Sequence, residues 1–433
     1  MSLSSSAAQA PMTAVFCTFL TLLVPLAAVG VAIMTAGLGR ARSAAHAMLT
    51  SLCLAAVAAL AYFVCGFAWQ GVAGGAAHSV MIAGKSWSWI GAGHFFLRGI
   101  AFDDAGSSLA AALQLFGATI VVLIPLGTGN ERWRLGAACT STALLAGIVY
   151  PLFGHWAWGG GWLAQLGVNY GLGHGFVDTA GAGGICGVGG VAALTIAWIV
   201  GPRRSKYAGG TMPAAIPAHN AVFVLLGCFL AWLGWLGLNG AGAILHAGIE
   251  PVRLPLVLIN TTLSAAAAVV MAVIITRVRF GKPDASLSAN AWISGLVTSS
   301  AAAPFMAPAA ATAAGLVVGV IVPLSVEWLE FNLGVDDPGG SISAYGVAGI
   351  WGLLAAGFLV HPNGSGQWLA QLIGVATLLG FVLPLTYAAN FVLNRFYRQR
   401  VDRDGEQQGM DLHELGADAY PEFVIHSESL LPH

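Results

Sequence analysis

The chain has 433 residues, of which 57% are hydrophobic and 8% are charged, whereas a soluble protein carries about 25% charged residues. This composition excludes an ordinary set of soluble domains, and a net charge of -1 with 17 basic residues argues against a nucleic-acid-binding surface. A mean hydropathy of +0.80, with 58 glycines and 14 tryptophans, is typical of a protein with many membrane spans. The six cysteines have no C-x-x-C spacing, so neither a disulfide framework nor a metal site is expected.

Eleven apolar stretches are long enough to cross the hydrocarbon core of a bilayer, which takes about 20 residues per helix. We therefore predict an all-α integral membrane protein, with an eleven-helix channel domain at 1–394 and a polar tail at 395–433. The polar lead before the first stretch has no basic residue, which favours a true first span over a cleaved signal peptide. The predicted spans are 13–38, 46–70, 108–128, 136–156, 179–201, 218–245, 254–276, 287–304, 309–330, 342–360 and 367–394.

The basic residues predict the orientation of these spans. Fourteen of the 17 follow spans one, three, five, seven and eleven, and therefore lie on one side of the membrane. The positive-inside rule makes that side cytoplasmic, which places the N-terminus outside and the C-terminal tail in the cytoplasm. Lys85, Arg98 and Arg253 are expected on the outer side.

Two segments of the chain resemble each other. Residues 178–191 read DTAGAGGICGVGGV and residues 337–350 read DPGGSISAYGVAGI, and each has an aspartate eight residues before a side chain that precedes G-V-[G/A]-G. The first segment opens span five from outside, and the second opens span ten from the cytoplasm. This pattern favours an inverted repeat of 5+5 helices, at about 13–201 and 218–360. The alternative is chance similarity between glycine-rich membrane helices, which pack closely through small residues.

Five segments resemble the signatures of a known family, the ammonium transporters, methylammonium permeases and Rhesus proteins. They occur in the family's order and span nearly the whole chain. The segments are GLGRARSAAHAM (37–48), HWAWGGGWLAQLG (155–167), PAHNAVFVLLGCFLAWLGWLGLNGAG (217–242), VDDPGGSISAYGVAGIWG (335–352) and GMDLHELGADAY (409–420).

This resemblance implies the fold, the assembly and the partners of the chain. It implies an ammonium-transporter-like fold in a bacterial-type inner membrane, and a homotrimer with one narrow hydrophobic pore in each protomer. It also implies an ordered tail that crosses to the neighbouring protomer, near where PII-type signalling proteins dock. No cofactor is implied.

The positions that match the family's pore lining carry other residue types in this chain. Cys186 and Tyr345 match the paired histidines on spans five and ten. The remaining matches are Leu238 for the second gate phenylalanine, Gly117 or (with a shift of one residue) Phe116 for the first, and Gly242 for the outer recruitment serine. The resemblance therefore covers the scaffold more closely than the pore.

Four retained residues have roles that the sequence leaves open or assigns to the scaffold. Asp178, at the mouth of span five, either caps the first N–H groups of that helix or attracts a cation, and capping is favoured. Trp158 either anchors the chain at the membrane interface or holds a cation on its π face. Asn239 and Asp337 are expected to be scaffold residues, Asp337 as the cytoplasmic counterpart of Asp178.

Two functions remain open on this basis. The first is transport of ammonium, ammonia or another small polar solute, with Cys186 and Tyr345 as an altered polar pair that is poorly suited to proton relay near neutral pH. The second is a receptor-like or regulatory member of the family that binds ammonium and conducts little, with Tyr345 plugging the pore. An enzyme that uses Cys186 as nucleophile is disfavoured, because neither repeat segment supplies a base beside it.

Overall fold

Membrane-length helices dominate the structure, which is a computed structural model that describes residues 3–71, 75–207, 210, 212–360 and 365–421. Ten helices in these ranges are long and apolar enough to cross a membrane, and a shorter helix lies between the seventh and the eighth of them. In chain order they are α1 (Met12–Leu38), α2 (Ala41–Gln70), α3 (Ala105–Gly129), α4 (Leu135–Ala157), α5 (Ala182–Val200), α6 (Ala221–Leu245), α7 (Pro251–Phe280), α8 (Ala285–Ser299), α9 (Pro308–Leu333), α10 (Ile342–Leu359) and α11 (Gln367–Phe396). Short helices also cover Leu166–Tyr170 and Arg403–Gln408.

Local sequence signals set several of the helix ends. Pro308 begins α9, because proline is tolerated in the first helical turn, where its missing N–H has no partner to lose. Gly281 ends α7 with φ of +76°, the left-handed conformation that glycine adopts at little cost. Asp284 caps α8 by accepting a 2.8 Å hydrogen bond from the N–H of Leu287.

The eighth helix differs from the prediction of a full span at 287–304. Helix α8 has 15 residues, so at 1.5 Å per residue it is about 22 Å long and shorter than the hydrocarbon core. It packs between α7 and α9, and most of its side chains are buried in the bundle. The chain then bends through a short turn at Ala303–Phe305 before α9 begins. The ten longer helices correspond to the other predicted spans.

Helices α5 and α10, which open with the two similar segments, cross at their glycines. A β-carbon added at Gly190 would lie 2.2 Å from the Cα of Gly346, and one added at Gly349 would lie 3.1 Å from the nitrogen of Gly187. Both helices also begin with a six-residue π-helical turn, at Ala182–Gly187 and Ile342–Val347. The two backbones therefore touch where no side chain larger than hydrogen fits.

A β-hairpin, which the sequence analysis does not predict, lies between α2 and α3. Strands β1 (Ala77–Ile82) and β2 (Lys85–Gly91) pair antiparallel through a two-residue turn. Ala83 and Gly84 in that turn have φ of +51° and +74°, as a type I′ hairpin turn requires. The hairpin presents aromatic rings to the loop after α4, with ring centroids 5.3–6.0 Å apart among Trp87, Trp89 and Trp162.

Buried ion pairs join the loops at one end of the bundle, which we call the basic end. Arg203 donates to Glu131 at 2.6 Å and to Asp336 at 2.8 Å, and Arg40 also pairs with Glu131. Burial alone would raise the pKa of Asp336, but the charges of Arg132 and Arg203 and the hydrogen bonds from Arg203 hold it well below its usual range. Loops that are distant in sequence are thereby held in one arrangement.

The described part of the tail packs on the basic end of its own chain. Asp411 accepts hydrogen bonds from the backbone N–H groups of Ala45 at 3.1 Å and His46 at 2.6 Å. Glu414 contacts the His46 ring at 2.8 Å and accepts from the N–H of Leu135 at 3.0 Å. Burial alone would raise the pKa of Glu414, but the hydrogen bonds from His46 and Leu135 outweigh this effect and bring the pKa below its usual range. Residues 422–433 of the predicted tail lie outside the described residues.

Candidate pore

The two positions that match the family's paired histidines are buried in the middle of the bundle. Cys186 is 0% exposed and Tyr345 is 4% exposed. Each lies in the π-helical turn that opens its helix, next to the glycine crossing of α5 and α10. The Tyr345 ring lies 6.4 Å from the Trp235 ring of α6, at an interplanar angle of 40°. A thiol and a phenol therefore occupy the place where the resemblance puts imidazoles.

The space beside Gly117, which the resemblance gives as a gate position, is occupied by a tyrosine that the sequence does not single out. A β-carbon at Gly117 would lie 2.5 Å from the hydroxyl oxygen of Tyr150 and 3.2 Å from Cδ1 of Ile185. Gly117 therefore faces the interior between α4 and α5, whereas Phe116 is only half-buried. Leu238, the second gate position, is 1% exposed.

Asp178 holds the start of α5 through its side chain. One carboxylate oxygen accepts from the N–H of Gly181 at 3.0 Å, and the other accepts from Gly183 at 3.0 Å and Gly184 at 2.7 Å. Burial raises the pKa of Asp178 to about 6, and these hydrogen bonds act in the opposite direction. The geometry is that of a cap that satisfies N–H groups left without helical partners.

Asp337 makes the corresponding contacts before α10. Its carboxylate accepts from the N–H of Ile342 at 2.8 Å and from the hydroxyl of Thr128 at 2.7 Å. Asn239 is likewise buried: its amide nitrogen donates to the hydroxyls of Thr261 and Ser299, and its oxygen accepts from another serine, Ser300. These contacts link separate helices of the scaffold.

Trp158 lies between Asp178, α5 and a histidine at the end of α6. Its indole N–H donates to the backbone oxygen of Asp178 at 2.5 Å. Its ring lies on Gly184, where an added β-carbon would be 2.3 Å from the indole. The His246 ring stacks on the indole with centroids 4.8 Å apart and an interplanar angle of 12°. A face of Trp158 is therefore covered by a neighbouring side chain.

His246 is the residue of this site that the sequence analysis missed. Its Nδ1 lies 3.0 Å from the carbonyl oxygen of Thr179, and its Nε2 lies 2.7 Å from the amide nitrogen of Gln114. Burial lowers the pKa of His246 to about 4, and the hydrogen bond to Thr179 acts in the opposite direction. The ring is therefore uncharged near neutral pH. It follows the signature stretch by four residues, so motif matching gave no signal for it.

Gly242, the match to the family's recruitment serine, has no room for a side chain. A β-carbon there would lie 2.6 Å from the carbonyl oxygen of Thr179 and 2.9 Å from the β-carbon of Ala180. The end of α6 therefore lies directly on the segment that precedes α5. This close approach brings His246, one helical turn further on, to the carbonyl of Thr179.

Two cavities meet at the stacked pair of Trp158 and His246. One, of about 350 Å³, is lined by polar side chains that include Tyr62, Gln70 and Gln114. The other, of about 510 Å³, is lined by further residues that include Asp178, Arg253 and Phe305. The indole of Trp158 and the imidazole of His246 form part of the wall of both cavities. Across the described ranges, no group of three or more His, Cys, Asp or Glu side chains is placed to hold a metal ion.

The ten membrane-length helices in the described ranges define an integral membrane protein with many spans, and comparison with known proteins gives its family. A profile of the Ammonium Transporter Family matches residues 15–420. The chain belongs to the ammonium transporter family, as the sequence motifs predicted. The ammonium transporter Amt2 of Archaeoglobus fulgidus is 33% identical over 97% of this chain and 89% of its own length. The ammonium transporter of Bacillus subtilis is 28% identical over 94% of this chain and 98% of its own length.

Solved structures agree with this assignment. A structure named "Sensor Amt Protein" superposes with a TM-score of 0.85 and 27% identity, covering 94% of this chain and 99% of that chain. The crystal structure of Mep2 from Candida albicans superposes with a TM-score of 0.79 and 24% identity, covering 95% and 90% respectively, and so shares the fold. Taken together, the relatives favour the transporter interpretation over the receptor alternative.

Proposed function

We propose that this protein transports ammonium, ammonia or another small polar solute across a membrane, through a pore within the single chain. One observation carries the proposal: the family profile spans residues 15–420, and the relatives that match over most of their length are named ammonium transporters. The chain then acts as a transporter and not as an enzyme, and the complete burial of Cys186 fits this role.

The architecture we propose is eleven spans arranged as a 5+5 inverted repeat. The glycine crossing supports it, because the sequence alignment pairs Gly187 with Gly346 and Gly190 with Gly349. A two-fold exchange of the repeats turns the contact of Gly190 with Gly346 into a contact of Gly349 with Gly187, and both contacts are present. Chance similarity between glycine-rich helices gives no reason for such reciprocity. Inverted-repeat transporters place their pathway near the interface of the repeats, which here is beside Cys186.

Along this pathway the proposed central pair is Cys186 and Tyr345. Neither side chain ionises near neutral pH in its ordinary range, so the pair offers hydrogen bonds and no mobile charge. Desolvating a cation between them is costly, because a thiol and a phenol carry no negative charge that would offset it. We therefore propose that the solute crosses this point uncharged. Gly117, Tyr150 and Leu238 then form the constriction on the approach to the pair.

Orientation and assembly follow the family. We place the basic end in the cytoplasm by the positive-inside rule, in a bacterial-type inner membrane. We propose a homotrimer with one pore in each protomer, whose tails reach the neighbouring protomers. A PII-type signalling protein is the proposed partner at the tail, where Asp411 and Glu414 hold the chain on the first turns of α2 and α4.

Flux of the purified protein in liposomes tests the proposal. An internal pH indicator would follow gradients of ammonium and methylammonium, and light scattering would follow the volume change that a urea gradient drives, with empty liposomes as the blank. We expect the ammonium gradient to raise the internal pH faster than it does in empty liposomes. Binding of ammonium to the parent protein without flux of any of the three solutes would instead establish the receptor alternative. The likeness to the structure named "Sensor Amt Protein" is the reason for including this outcome.

A further inference from the structure

A covered tryptophan face is the feature of the pore mouth that the proposed function leaves unexplained. A cation on an indole lies within about 6 Å of the ring centroid. The His246 ring centroid lies 4.8 Å from that of Trp158, in a nearly parallel stack. An imidazole of the protein therefore occupies the place on this face where a cation would bind.

Hydrogen bonds determine which form of the imidazole is present. The carbonyl oxygen of Thr179 can only accept, so Nδ1 of His246 carries the proton and donates to it. In a neutral ring Nε2 is then an acceptor, and it faces the amide nitrogen of Gln114, which donates. The amide oxygen of Gln114 in turn accepts from the hydroxyl of Tyr150 at 2.5 Å. Each polar atom in this series has a partner of the opposite kind.

The same series holds the ring in place. An imidazolium would direct a second N–H at the amide nitrogen of Gln114, which is itself a donor. Close packing of Gly242 on Thr179 fixes the distance between α6 and the segment before α5. The indole is fixed as well, through its hydrogen bond to Asp178. The stack is therefore a built arrangement, and its members also form the shared wall of the two cavities.

We propose that His246 is a specificity-determining residue of the pore mouth: its neutral ring fills the cation position on Trp158, so that the mouth does not retain a small ammonium cation there. The inference rests on the proposed function only in taking this mouth as the entrance for the solute. Without the ring, the face of Trp158 is open and the carbonyl of Thr179 has lost its donor. An ammonium group needs such an aromatic face and such an acceptor.

Binding of radiolabelled methylammonium to the purified full-length protein, followed by scintillation proximity, tests this assignment. We expect His246→Ala to bind at least tenfold more tightly than the parent, and the double variant with Trp158→Ala to lose that gain. His246→Leu is the control at the same position, because an isobutyl group still covers the indole; it should bind as weakly as the parent. His78→Ala, at an exposed histidine of strand β1 outside both cavities, should also match the parent.

Equal binding by the parent and His246→Ala would overturn the proposal. If that variant does not fold, His246→Ser replaces it, since its hydroxyl ends one bond short of the Nδ1 position and leaves both the indole and the carbonyl of Thr179 open; no gain in that variant overturns the proposal equally. Flux measured on the same preparations separates the two claims. A gain in binding with no flux in the parent would contradict the proposed transport and leave the role of His246 standing, and flux without the gain would do the reverse.

Discussion

The carboxylate of Asp178 accepts a 2.7 Å hydrogen bond from the N–H of Gly184, six residues further along the chain. The same carboxylate also binds two other N–H groups, so one side chain orders the π-helical turn that contains Cys186. A substitution of Asp178 therefore changes the stability of the helix as well as any attraction of the solute, and the two effects have to be measured separately.

Replacing Asp178 should lower stability in a graded order. Asp178→Ala removes both acceptor oxygens and should lower the free energy of unfolding by at least the roughly 0.5–2 kcal/mol that is typical of a lost N-cap. Asp178→Asn should lie between Ala and the parent, because its amide nitrogen would face N–H donors that one carboxylate oxygen now satisfies. Thermal melting of the purified protein would measure both. Asp104→Ala, which removes an exposed cap of α3, is the matched control.

The pH dependence of stability should reveal the ionisation of Asp178. Burial raises its pKa to about 6, above the value of about 3.9 in an unfolded chain. The folded state then binds more protons between these values, so the stabilisation is greatest at low pH and is lost as the pH rises toward 6. The melting difference between the parent and Asp178→Asn should therefore shrink from pH 4 to pH 6. The lowered pKa of His246 makes stability rise with pH over this range, but it does so equally in both proteins and therefore cancels in the melting difference. A difference that grows with pH would show that the hydrogen bonds, not burial, dominate.

Alanine at the glycine crossing should damage the bundle. Gly190→Ala and Gly346→Ala each place a methyl group against the partner backbone, and overpacking of this kind costs about 1–3 kcal/mol. Gly380→Ala is the comparison, since an added β-carbon meets nothing within 4 Å there and alanine favours a helix. Lower melting temperatures for the first two variants, with no loss for the third, are expected. Equal melting of all three would contradict the close crossing.

Loss of Glu414 should release the tail from the basic end. Glu414→Ala removes the contact with His46 and leaves the N–H of Leu135 without its acceptor. Hydrogen exchange should become faster at Leu135 and across 402–416, with little change in the spans. Asp404→Ala, at an exposed position of the same tail, should leave exchange at Leu135 unchanged. Unaltered exchange in Glu414→Ala would mean that the other tail contacts, such as those of Asp411 and Glu406, hold the tail without Glu414.

Apolar run length predicted ten of the helices well, because a bilayer imposes both the length and the composition of a span. It overestimated α8, whose burial inside the bundle releases it from the length rule. Motif spacing located Asp178, Trp158 and the glycine pairs, since these residues belong to segments with family signatures. It could not reveal His246 or Tyr150, because their positions depend on how helices approach each other. Gly117 leaves the space that the Tyr150 hydroxyl occupies, and Gly242 lets α6 come close enough to Thr179 for His246 to reach its carbonyl.

Passage of an uncharged solute can be distinguished from passage of a cation by recording current and internal pH together from one batch of proteoliposomes. Ammonium gradients should raise the internal pH while the current on a solid-supported membrane stays at the level of empty liposomes. The variant with Cys186→His and Tyr345→His, which carries histidines at both positions of the pair, should gain an ammonium current. A robust ammonium current from the unmodified protein would show that the solute crosses the pore as a cation.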